Sequence, residues 1–364
     1  MINDKIIGID ARMIEMSGIG TYIQHLMGKG IYDVAVGNEE EIRRYDKDVK
    51  VISFEAPIYG LKEQFRFPNK AVRNAGVQIM HFPHYNVPLS YRGKYVTTVH
   101  DLTHIILPEF LGNKIKYYYA FLLMGRTLKK AEHIFTVSQN SKKDIIDYFG
   151  TEENKISITY NAIDEDFRVK TKTEIQYLYE KYAIPQNKIL LLYVGNLKPH
   201  KNLITLLKAL KILKNDSLML LLVGKAFKSV DLNKQEEELE IKSSVIHTGM
   251  VEKNELVDLY NLADIFVFPS LYEGFGIPAL EAMGCGTPVI AANNSSIPEV
   301  CGEAAMYFNG NNENELAEKI IALINNKESQ NDFISKGLIQ SKRFDWRQPE
   351  NEVRDILDSL TRKI

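Results

Sequence analysis

Short runs of apolar residues, too short for a core helix, recur along the chain and restrict it to parallel β-sheets. The clearest are Ile189–Val194 (ILLLYV) and Leu218–Val223 (LMLLLV), which are apolar throughout. A strand with two apolar faces must be covered on both sides, as happens in a parallel sheet with helices above and below it. Helix-length segments such as Asn113–Ala131 separate the runs. This alternation predicts an α/β protein built of right-handed βαβ units.

The runs fall into two series, which predicts two domains. The first series comprises Lys5–Asp10, Val49–Phe54, Val77–Phe82, Tyr95–Val99 and His133–Val137. The second comprises Ile189–Val194, Leu218–Val223, Val245–His247, Ile265–Phe268 and Pro288–Ala291. The polar stretch Arg168–Gln186 separates the two series, and the last segment, Asn351–Ile364, has a helical pattern. A length of 364 residues also fits two domains.

Composition excludes several classes of protein. The chain is 45% hydrophobic and 25% charged, which is ordinary for a globular protein. No apolar stretch approaches the ~20 residues of a membrane span, and Met1–Ile9 lacks the apolar core of a secretory signal. Two cysteines and a net charge of −2 argue against a disulfide framework and against nucleic-acid binding. We therefore expect a cytoplasmic protein.

Four loops that follow predicted strands carry residues suited to binding phosphates and sugars. The carboxyl ends of parallel strands are where open α/β sheets bind ligands. The four loops are Ser17–Gly20, Thr98–Asp101, Val194–Asn202 and Pro269–Val289.

The fourth loop has the densest pattern. A predicted strand runs into a glycine-rich loop and then into a helix with Pro278 near its start, where proline is tolerated. The amides of Gly274–Ile277 are anion donors, and the carboxylates of Glu273 and Glu281 suit the hydroxyls of a sugar and a ribose. The alternative is an ordinary strand–helix connection with exposed glutamates.

The other three loops carry weaker patterns. Lys198 and Lys201 precede a helix whose dipole disfavours cations, which favours an anionic ligand between them and the helix. Gly18 and Gly20 allow close approach of the backbone to a ligand, and His100 lies at a strand end where site residues collect. The alternatives are solvated lysines, a flexible connection and a histidine that only caps its strand.

The segment EGFGIPALEAMGCGTPV, which begins at Glu273, resembles the E-x7-E signature of glycosyltransferase family 4. Further segments resemble the family's N-terminal loop (GIDARMIEMSGIGTY), His-Asp strand end (TVHDLTHIILPEF), phosphate-binding loop (YVGNLKPHKNL) and C-terminal crossover (RFDWRQPENEVRDIL). The resemblance implies a GT-B fold, two Rossmann-like domains that face each other across a cleft, and retention of anomeric configuration. Residues 1–167 with 346–364 would form the acceptor side, and residues 168–345 the nucleotide-sugar side.

The resemblance also assigns roles. Two residues would be catalytic: His100 facing the reacting sugar, and Glu273 contacting its hydroxyls. Lys201 would contact the donor diphosphate and Glu281 the ribose, while Asn196 stands where many members have an arginine, so that Lys198 would supply the second charge. The donor-binding residues implied are Gly18, Gly20, Asn196, Lys198, Lys201, Met250, Val251, Gly274, Phe275, Gly276 and Glu281.

The N-terminal pattern is most similar to mannosyl- and rhamnosyltransferase-like members of bacterial polysaccharide assembly. This implies transfer of a hexose, with mannose the first expectation, from GDP-mannose or a UDP-sugar to a carbohydrate or lipid-linked saccharide. Two other enzymes, a GT-B nucleotide-sugar epimerase and a phosphorylase, are alternatives, as is a non-catalytic sugar-binding subunit. An epimerase would need no acceptor.

No metal or other cofactor is expected. The triplets Asp46–Asp48 and Asp164–Asp166 have the spacing of Mg²⁺ or Mn²⁺ ligands, but members of the resembled family generally need no metal. Cys285 and Trp346 are interpreted as packed residues.

The segment 113–143 contains seven Lys or Arg and one acid, together with several aromatic residues. A basic amphipathic helix of this kind predicts peripheral contact with an anionic membrane. The alternative is a core helix with a solvated basic face.

Overall fold

A computed structural model describes residues 5–16, 18–111, 113–225 and 230–362. The chain divides into two compact units, Met1–Asn161 with Trp346–Ile364, and Ala162–Asp345. Each unit has an all-parallel sheet with helices, so the predicted α/β class is confirmed. Within the described residues, no helix is both long and apolar enough to cross a bilayer.

The sheet of the first unit has seven strands in the order β3-β2-β1-β4-β5-β6-β7. Its strands are β1 (Ile7–Asp10), β2 (Val34–Gly37), β3 (Lys50–Ser53), β4 (Ile79–Phe82), β5 (Lys94–Val99), β6 (His133–Thr136) and β7 (Ile156–Ile158). Its helices are α1 (Ile19–Leu26), α2 (Glu39–Tyr45), α3 (Leu61–Arg66), α4 (Asn69–Asn74), α5 (Thr103–Ile106), α6 (Lys114–Lys130) and α7 (Gln139–Phe149). Short 3-10 turns cover Pro108–Leu111 and Glu153–Lys155.

The sheet of the second unit has six strands in the order β10-β9-β8-β11-β12-β13. Its strands are β8 (Ile189–Val194), β9 (Leu218–Val223), β10 (Val245–Gly249), β11 (Ile265–Phe268), β12 (Val289–Ala292) and β13 (Ala305–Phe308). Its helices are α8 (Lys172–Ile175), α9 (Tyr177–Lys181), α10 (Leu203–Leu213), α11 (Val230–Glu238), α12 (Lys253–Leu262), α13 (Ile277–Gly284), α14 (Ile297–Cys301), α15 (Glu313–Asn325) and α16 (Lys327–Ser341). Its 3-10 turns are Pro199–Lys201, Lys242–Ser244 and Gly302–Ala304.

The C-terminal helix α17 (Arg347–Arg362) packs on the first unit and begins four residues before the helical pattern seen in the sequence. Its apolar face buries Val353 and Leu357. Arg354 donates to the carbonyls of Lys29 at 2.7 Å and Gly30 at 3.2 Å. Just before the helix, Trp346 stacks on the imidazole of His25 at 4.0 Å, as expected for a packed anchor.

The first unit ends at Asn161. The sequence analysis predicted a boundary after residue 167, because the polar stretch Arg168–Gln186 begins there. Residues 162–167 pack on the second unit. The ring of Phe167 lies 6.0 Å from that of Tyr260. A Cβ on Gly284 would lie 2.6 Å from Ile163, so this helix end and the segment are in close contact. The segment 162–167, with Ile163 and Phe167 in contact with the second unit, therefore belongs to that unit.

Candidate functional site

The fourth loop has the predicted strand–loop–helix geometry. β11 ends at Phe268, and α13 begins at Ile277 with Pro278 in its first turn. Gly276 caps the helix with φ +109°, a backbone conformation that L side chains rarely adopt. The hydroxyl of Ser296 lies 2.9 Å from the carbonyls of both Glu273 and Phe275 and braces the loop.

Lys201 and Glu273, predicted for diphosphate and sugar, are brought together. The ammonium Nζ of Lys201 donates to Oε1 of Glu273 at 2.7 Å and to Oε2 at 2.8 Å. The two side chains are 20% and 11% exposed, so a ligand has access to a pair that is mostly shielded from water. Charge-assisted hydrogen bonds of this length are strong, which fixes both side chains in one arrangement.

Asn202 joins the loops that carry this pair, and it was not among the predicted residues. It adopts the left-handed conformation, φ 56°, between the 3-10 turn Pro199–Lys201 and α10. Its side-chain amide donates to the carbonyls of Pro269 at 3.0 Å and Gly310 at 2.7 Å. The structural role of Asn202 is therefore to hold the lysine loop against the glutamate loop.

Glu281 lies one helical turn into α13 and accepts a hydrogen bond at 2.8 Å from the hydroxyl of Tyr260, a fully buried residue of α12. Burial raises the pKa of Glu281 from 4.5 to about 7, although the Tyr260 hydrogen bond opposes this shift; Asp164 raises the pKa further and Lys253 lowers it. Near neutral pH the carboxyl group therefore changes between a hydrogen-bond acceptor and a neutral acid. Tyr260 is a second residue that the sequence analysis missed.

Asn196 and Lys198 lie in the same loop as Lys201, whose backbone amide donates to the carbonyl of Lys198 at 2.9 Å. The side chain of Asn196 accepts a hydrogen bond from the amide of Lys198 at 3.1 Å. Lys198 is exposed and lines a cavity of about 370 Å³ whose wall includes neither Lys201 nor Glu273. The role of Lys198 as a second positive charge for the donor diphosphate therefore stays a prediction, with no contact in the structure to support it.

The remaining donor-site residues lie on loop ends of the second unit. Met250 follows β10 and is 73% exposed, and Val251 beside it is partly buried. Gly274 and Phe275 are buried in the braced loop, where the ring of Phe275 packs edge-on against Phe344 at 5.4 Å. Their predicted contacts with base, sugar and phosphate stay predictions.

The other predicted residues, His100, Gly18 and Gly20, belong to the first unit. Gly18 is exposed with φ +76°, and a Cβ placed on it would meet no atom of the described residues within 4 Å. A Cβ on Gly20, in contrast, would lie 2.5 Å from the carbonyl oxygen of Ile14. Packing of α1 against this turn is enough to require glycine at position 20. Ser17, the first residue of that predicted loop, lies outside the described residues.

His100 follows β5 and is half-buried. Its Nε2 donates to the carbonyl of Pro83 at 3.0 Å, and its ring packs edge-on against Tyr22 with centroids 5.1 Å apart. Burial lowers the pKa of His100 to about 4, although the Pro83 carbonyl and Asp101 favour the charged form. The imidazole is therefore neutral at physiological pH and acts as a hydrogen-bonding group rather than as a cation.

Both Asp-x-Asp triplets have partners within the protein. Asp46 accepts hydrogen bonds from the amides of Gly28, Asp48 and Val49, each at 3.0 Å. Asp164 and Asp166 hold the ammonium of Lys253 at 2.6 and 2.7 Å. Among the described residues, no group of three or more His, Cys, Asp or Glu side chains is arranged to hold a metal ion.

The two cysteines are buried and unbridged. Burial raises the pKa of both Cys285 and Cys301 to about 12, so neither is a thiolate nucleophile at neutral pH.

Comparisons with known proteins identify the family. Residues 175–339 match the family described as Glycosyl transferases group 1, and residues 33–167 match Glycosyltransferase Family 4. The chain is 32% identical over 280 residues to O-antigen chain mannosyltransferase B of Escherichia coli, across 76% of this chain and 73% of that protein. It is 30% identical over 263 residues to O-antigen chain mannosyltransferase RfbU of Salmonella typhimurium, across 72% and 68% of the two chains.

A solved structure of similar fold is HepE from Anabaena in complex with UDP-glucose. It has a TM-score of 0.79 and 20% identity, and the match covers 98% of this chain and 99% of that chain. The family resemblance and the GT-B architecture of two Rossmann-like units are thus confirmed, and the chain belongs to glycosyltransferase family 4.

Proposed function

We propose that this glycosyltransferase moves a hexose, mannose in the first instance, from a nucleotide-diphosphate sugar to a carbohydrate or lipid-linked saccharide in cell-surface polysaccharide assembly. Relatives at about 30% identity are named as O-antigen chain mannosyltransferases, which supports mannose and a saccharide acceptor. GDP-mannose is the first donor to test. A UDP-sugar is the second, since HepE was solved with UDP-glucose.

The single observation that carries the donor side is the Lys201–Glu273 pair at the carboxyl end of β8 and β11. Breaking the glycosidic bond puts negative charge on the leaving diphosphate. A fixed ammonium group stabilises that charge more in the transition state than in the ground state. Lys201 supplies this cation when it exchanges Glu273 for phosphate, and Glu273 is then released to the hydroxyls of the transferring sugar.

The remaining roles follow from position and chemistry. Glu281, oriented by Tyr260, accepts hydrogen bonds from the ribose hydroxyls in its ionised form. His100 is neutral and its Nε2 donates to Pro83, so Nδ1 accepts a hydrogen bond from a hydroxyl of the reacting sugar. Transfer proceeds with retention of configuration, as the family resemblance implies. It needs no metal, because Lys201 and backbone amides supply the positive charge.

The first unit serves the acceptor, and the segment 113–143 brings it to the cytoplasmic face of an anionic membrane through α6. The predicted amphipathic helix ends with α6, because the rest of the segment contains the sheet strand β6 and the start of α7. One face of α6 exposes Ile115, Tyr118 and Leu122 to solvent, at 77%, 60% and 69%. These positions follow helical spacing and form one apolar stripe among lysines. An apolar stripe flanked by cations suits the boundary between headgroups and acyl chains.

The test is transfer with GDP-mannose and with UDP-glucose, each with and without excess EDTA. We expect GDP release to require a saccharide acceptor for full rate, to survive EDTA, and to give an α-linked product by NMR. Donor conversion to a new nucleotide sugar without any acceptor would indicate the epimerase instead. Binding of nucleotide without turnover of any donor would favour the non-catalytic subunit.

A further inference from the structure

A cavity of about 470 Å³ opens in the first unit, at a place where none of the predicted site residues lies. Its wall comes from the carboxyl ends of three neighbouring strands. Arg12 lies two residues after β1, Asn38 follows β2, and Phe54 and Glu55 follow β3. The carboxyl edge of a parallel sheet is where open α/β folds bind ligands.

The base of this cavity is a fixed guanidinium group. Nε and Nη2 of Arg12 donate to the two oxygens of Asp10 at 2.8 and 2.6 Å. Nη1 lies 2.9 Å from Oε1 of Glu63, and the side chains of Arg12 and Glu63 are 5% and 1% exposed. Burying three charges carries a large desolvation cost, and it leaves the guanidinium in one orientation.

The mouth of the cavity presents a carboxylate and an aromatic ring. Nδ2 of Asn38 donates to Oε1 of Glu55 at 2.7 Å, while Oδ1 of Asn38 accepts from the amide of Glu41 at 3.1 Å. Asn38 is thus held by α2 and orients Glu55. The ring of Phe54 is partly exposed, with the guanidinium of Arg12 5.5 Å from its centroid.

The charges of the wall indicate the class of ligand. The charge of Arg12 is already balanced by Asp10 and Glu63, which leaves one cation, Lys62, and two anions, Glu41 and Glu55, on the wall. A phosphate or carboxylate would meet two carboxylates here. Paired hydroxyls, in contrast, both donate to carboxylates and accept from an ammonium group, and the C–H face of a sugar ring packs on an aromatic ring.

We propose that this cavity binds a neutral sugar ring of the saccharide acceptor. The proposal rests on the transferase function proposed above, which requires a site for the saccharide acceptor. Phe54 supplies the stacking surface, Glu55 and Lys62 hold the hydroxyls, and the buried Arg12 supports the Phe54 ring.

The experiment measures binding of methyl α-D-mannopyranoside and of mannose 6-phosphate by saturation-transfer NMR. It compares the wild-type protein with Phe54→Leu, Glu55→Gln and Glu40→Gln. The Phe54→Leu variant keeps apolar volume but loses the ring, and Glu40→Gln is a matched control, because Glu40 is exposed on α2 and does not line the cavity. Urea unfolding verifies that each variant is folded.

We expect the wild type and Glu40→Gln to bind the neutral glycoside in preference to the phosphate, and the other two variants to bind it about tenfold more weakly. Equal binding by all four proteins, no binding by the wild type, or preference for the phosphate would overturn the proposal. Hydrolysis of GDP-mannose by the wild type, in which water takes the sugar and GDP leaves, is followed in parallel. Failure to hydrolyse any donor or to transfer sugar from it counts against the transferase function. Glycoside binding tests the proposed sugar site independently of that activity.

Discussion

At the residue scale, the proposed donor site is centred on Lys201 and Glu273, whose charges neutralise each other through two hydrogen bonds. A phosphate group that binds Lys201 must compete with this carboxylate. The proposed function therefore implies that the ion pair limits the affinity for diphosphate.

This competition makes the effect of Glu273→Gln predictable. A neutral amide holds the ammonium less strongly than a carboxylate, so the variant should bind nucleoside diphosphate as tightly as the wild type or up to about tenfold more tightly. Its turnover should fall, because contacts with the transferring sugar are lost. Calorimetry with GDP and UDP, beside steady-state kinetics, measures both quantities. Weaker binding of diphosphate, or full turnover, would contradict the assigned roles.

Lys201→Met is the complementary change. Loss of a charge-assisted contact to phosphate should weaken nucleoside diphosphate binding by roughly 1.5–3 kcal/mol. Calorimetry on Lys201→Met and on Lys208→Met, which removes a half-exposed lysine of α10, separates this contact from a general loss of positive charge. Equal losses in the two variants would exclude a specific phosphate contact.

The raised pKa of Glu281 predicts a pH-dependent effect on stability. Because this pKa is about 7 in the folded protein and 4.5 ordinarily, the folded state holds the proton more tightly than the unfolded chain. The stabilisation is complete below about pH 4.5 and is lost as the pH rises through 7. Glu281→Gln removes this titration, so its stability relative to wild type should rise by on the order of 2 kcal/mol between about pH 5 and pH 8.

Urea unfolding at the two pH values measures this change, with Glu40→Gln as the control for global effects of pH. A stability difference between Glu281→Gln and wild type that is the same at both pH values would show that Glu281 does not titrate in this range.

The sequence predicts Lys201, Glu273 and Glu281 as site residues, because each lies in a short pattern that suits the chemistry, and the structure brings Lys201 and Glu273 together. Asn202 and Tyr260 are different. A tyrosine on the buried face of α12 looks like an ordinary core residue, and its hydroxyl partner lies on another helix. An asparagine before α10 resembles any helix cap. Contacts between loops that are far apart in sequence decide their roles, and no local pattern contains that information.

At the element scale, the strands with two buried faces are the ones that the sequence predicts best. β8, β9 and β11 have the predicted bounds, because every residue in them is apolar. β7 and β13 were missed; both lie at sheet edges, where a half-buried strand needs less apolar sequence. β2 (VAVG) was also missed although it is internal, because it is only four residues long and its small side chains give a weak apolar pattern.

The exposed stripe of α6 makes a prediction about membrane binding. Ile115 and Leu122 lie on it, and Leu61 and Phe65 of α3, in the same unit, are 78% and 64% exposed. The protein should sediment with phosphatidylglycerol vesicles and less with phosphatidylcholine, and salt should weaken the binding. Ile115→Gln with Leu122→Gln should weaken it at least about tenfold, since each apolar side chain contributes about 1.5–3 kcal/mol when fully buried.

The matched control is Ile339→Gln, which removes a side chain that is 68% exposed on α16 of the second unit. This variant should bind vesicles as the wild type does. Equal weakening by the control would mean that general surface hydrophobicity, and not α6, drives binding. A wild-type protein that stays in solution would exclude the membrane contact altogether.

At the scale of the whole molecule, each unit has its own core. The first core surrounds Met80, Val99 and Ile134, and the second surrounds Leu191, Leu220 and Ile290. The last helix, α17, belongs to the first unit although the second unit precedes it in the chain. A sequence pattern predicts such a helix but not the unit on which it packs. The prediction that residues 346–364 return to the first domain came from the family resemblance.

Separate cores predict that core substitutions act on one unit at a time. Leu357 of α17 and Leu316 of α15 are both fully buried, the first in unit one and the second in unit two. Each change to alanine should destabilise its own unit by roughly 2–5 kcal/mol, through lost burial and the cavity that remains. Hydrogen exchange followed by mass spectrometry should then rise in β1 and β4 for Leu357→Ala, and in β8 and β9 for Leu316→Ala. If either variant raised exchange equally in all four strands, the two units would unfold in a single cooperative transition. The prediction that α17 stabilises only the first unit would then be wrong.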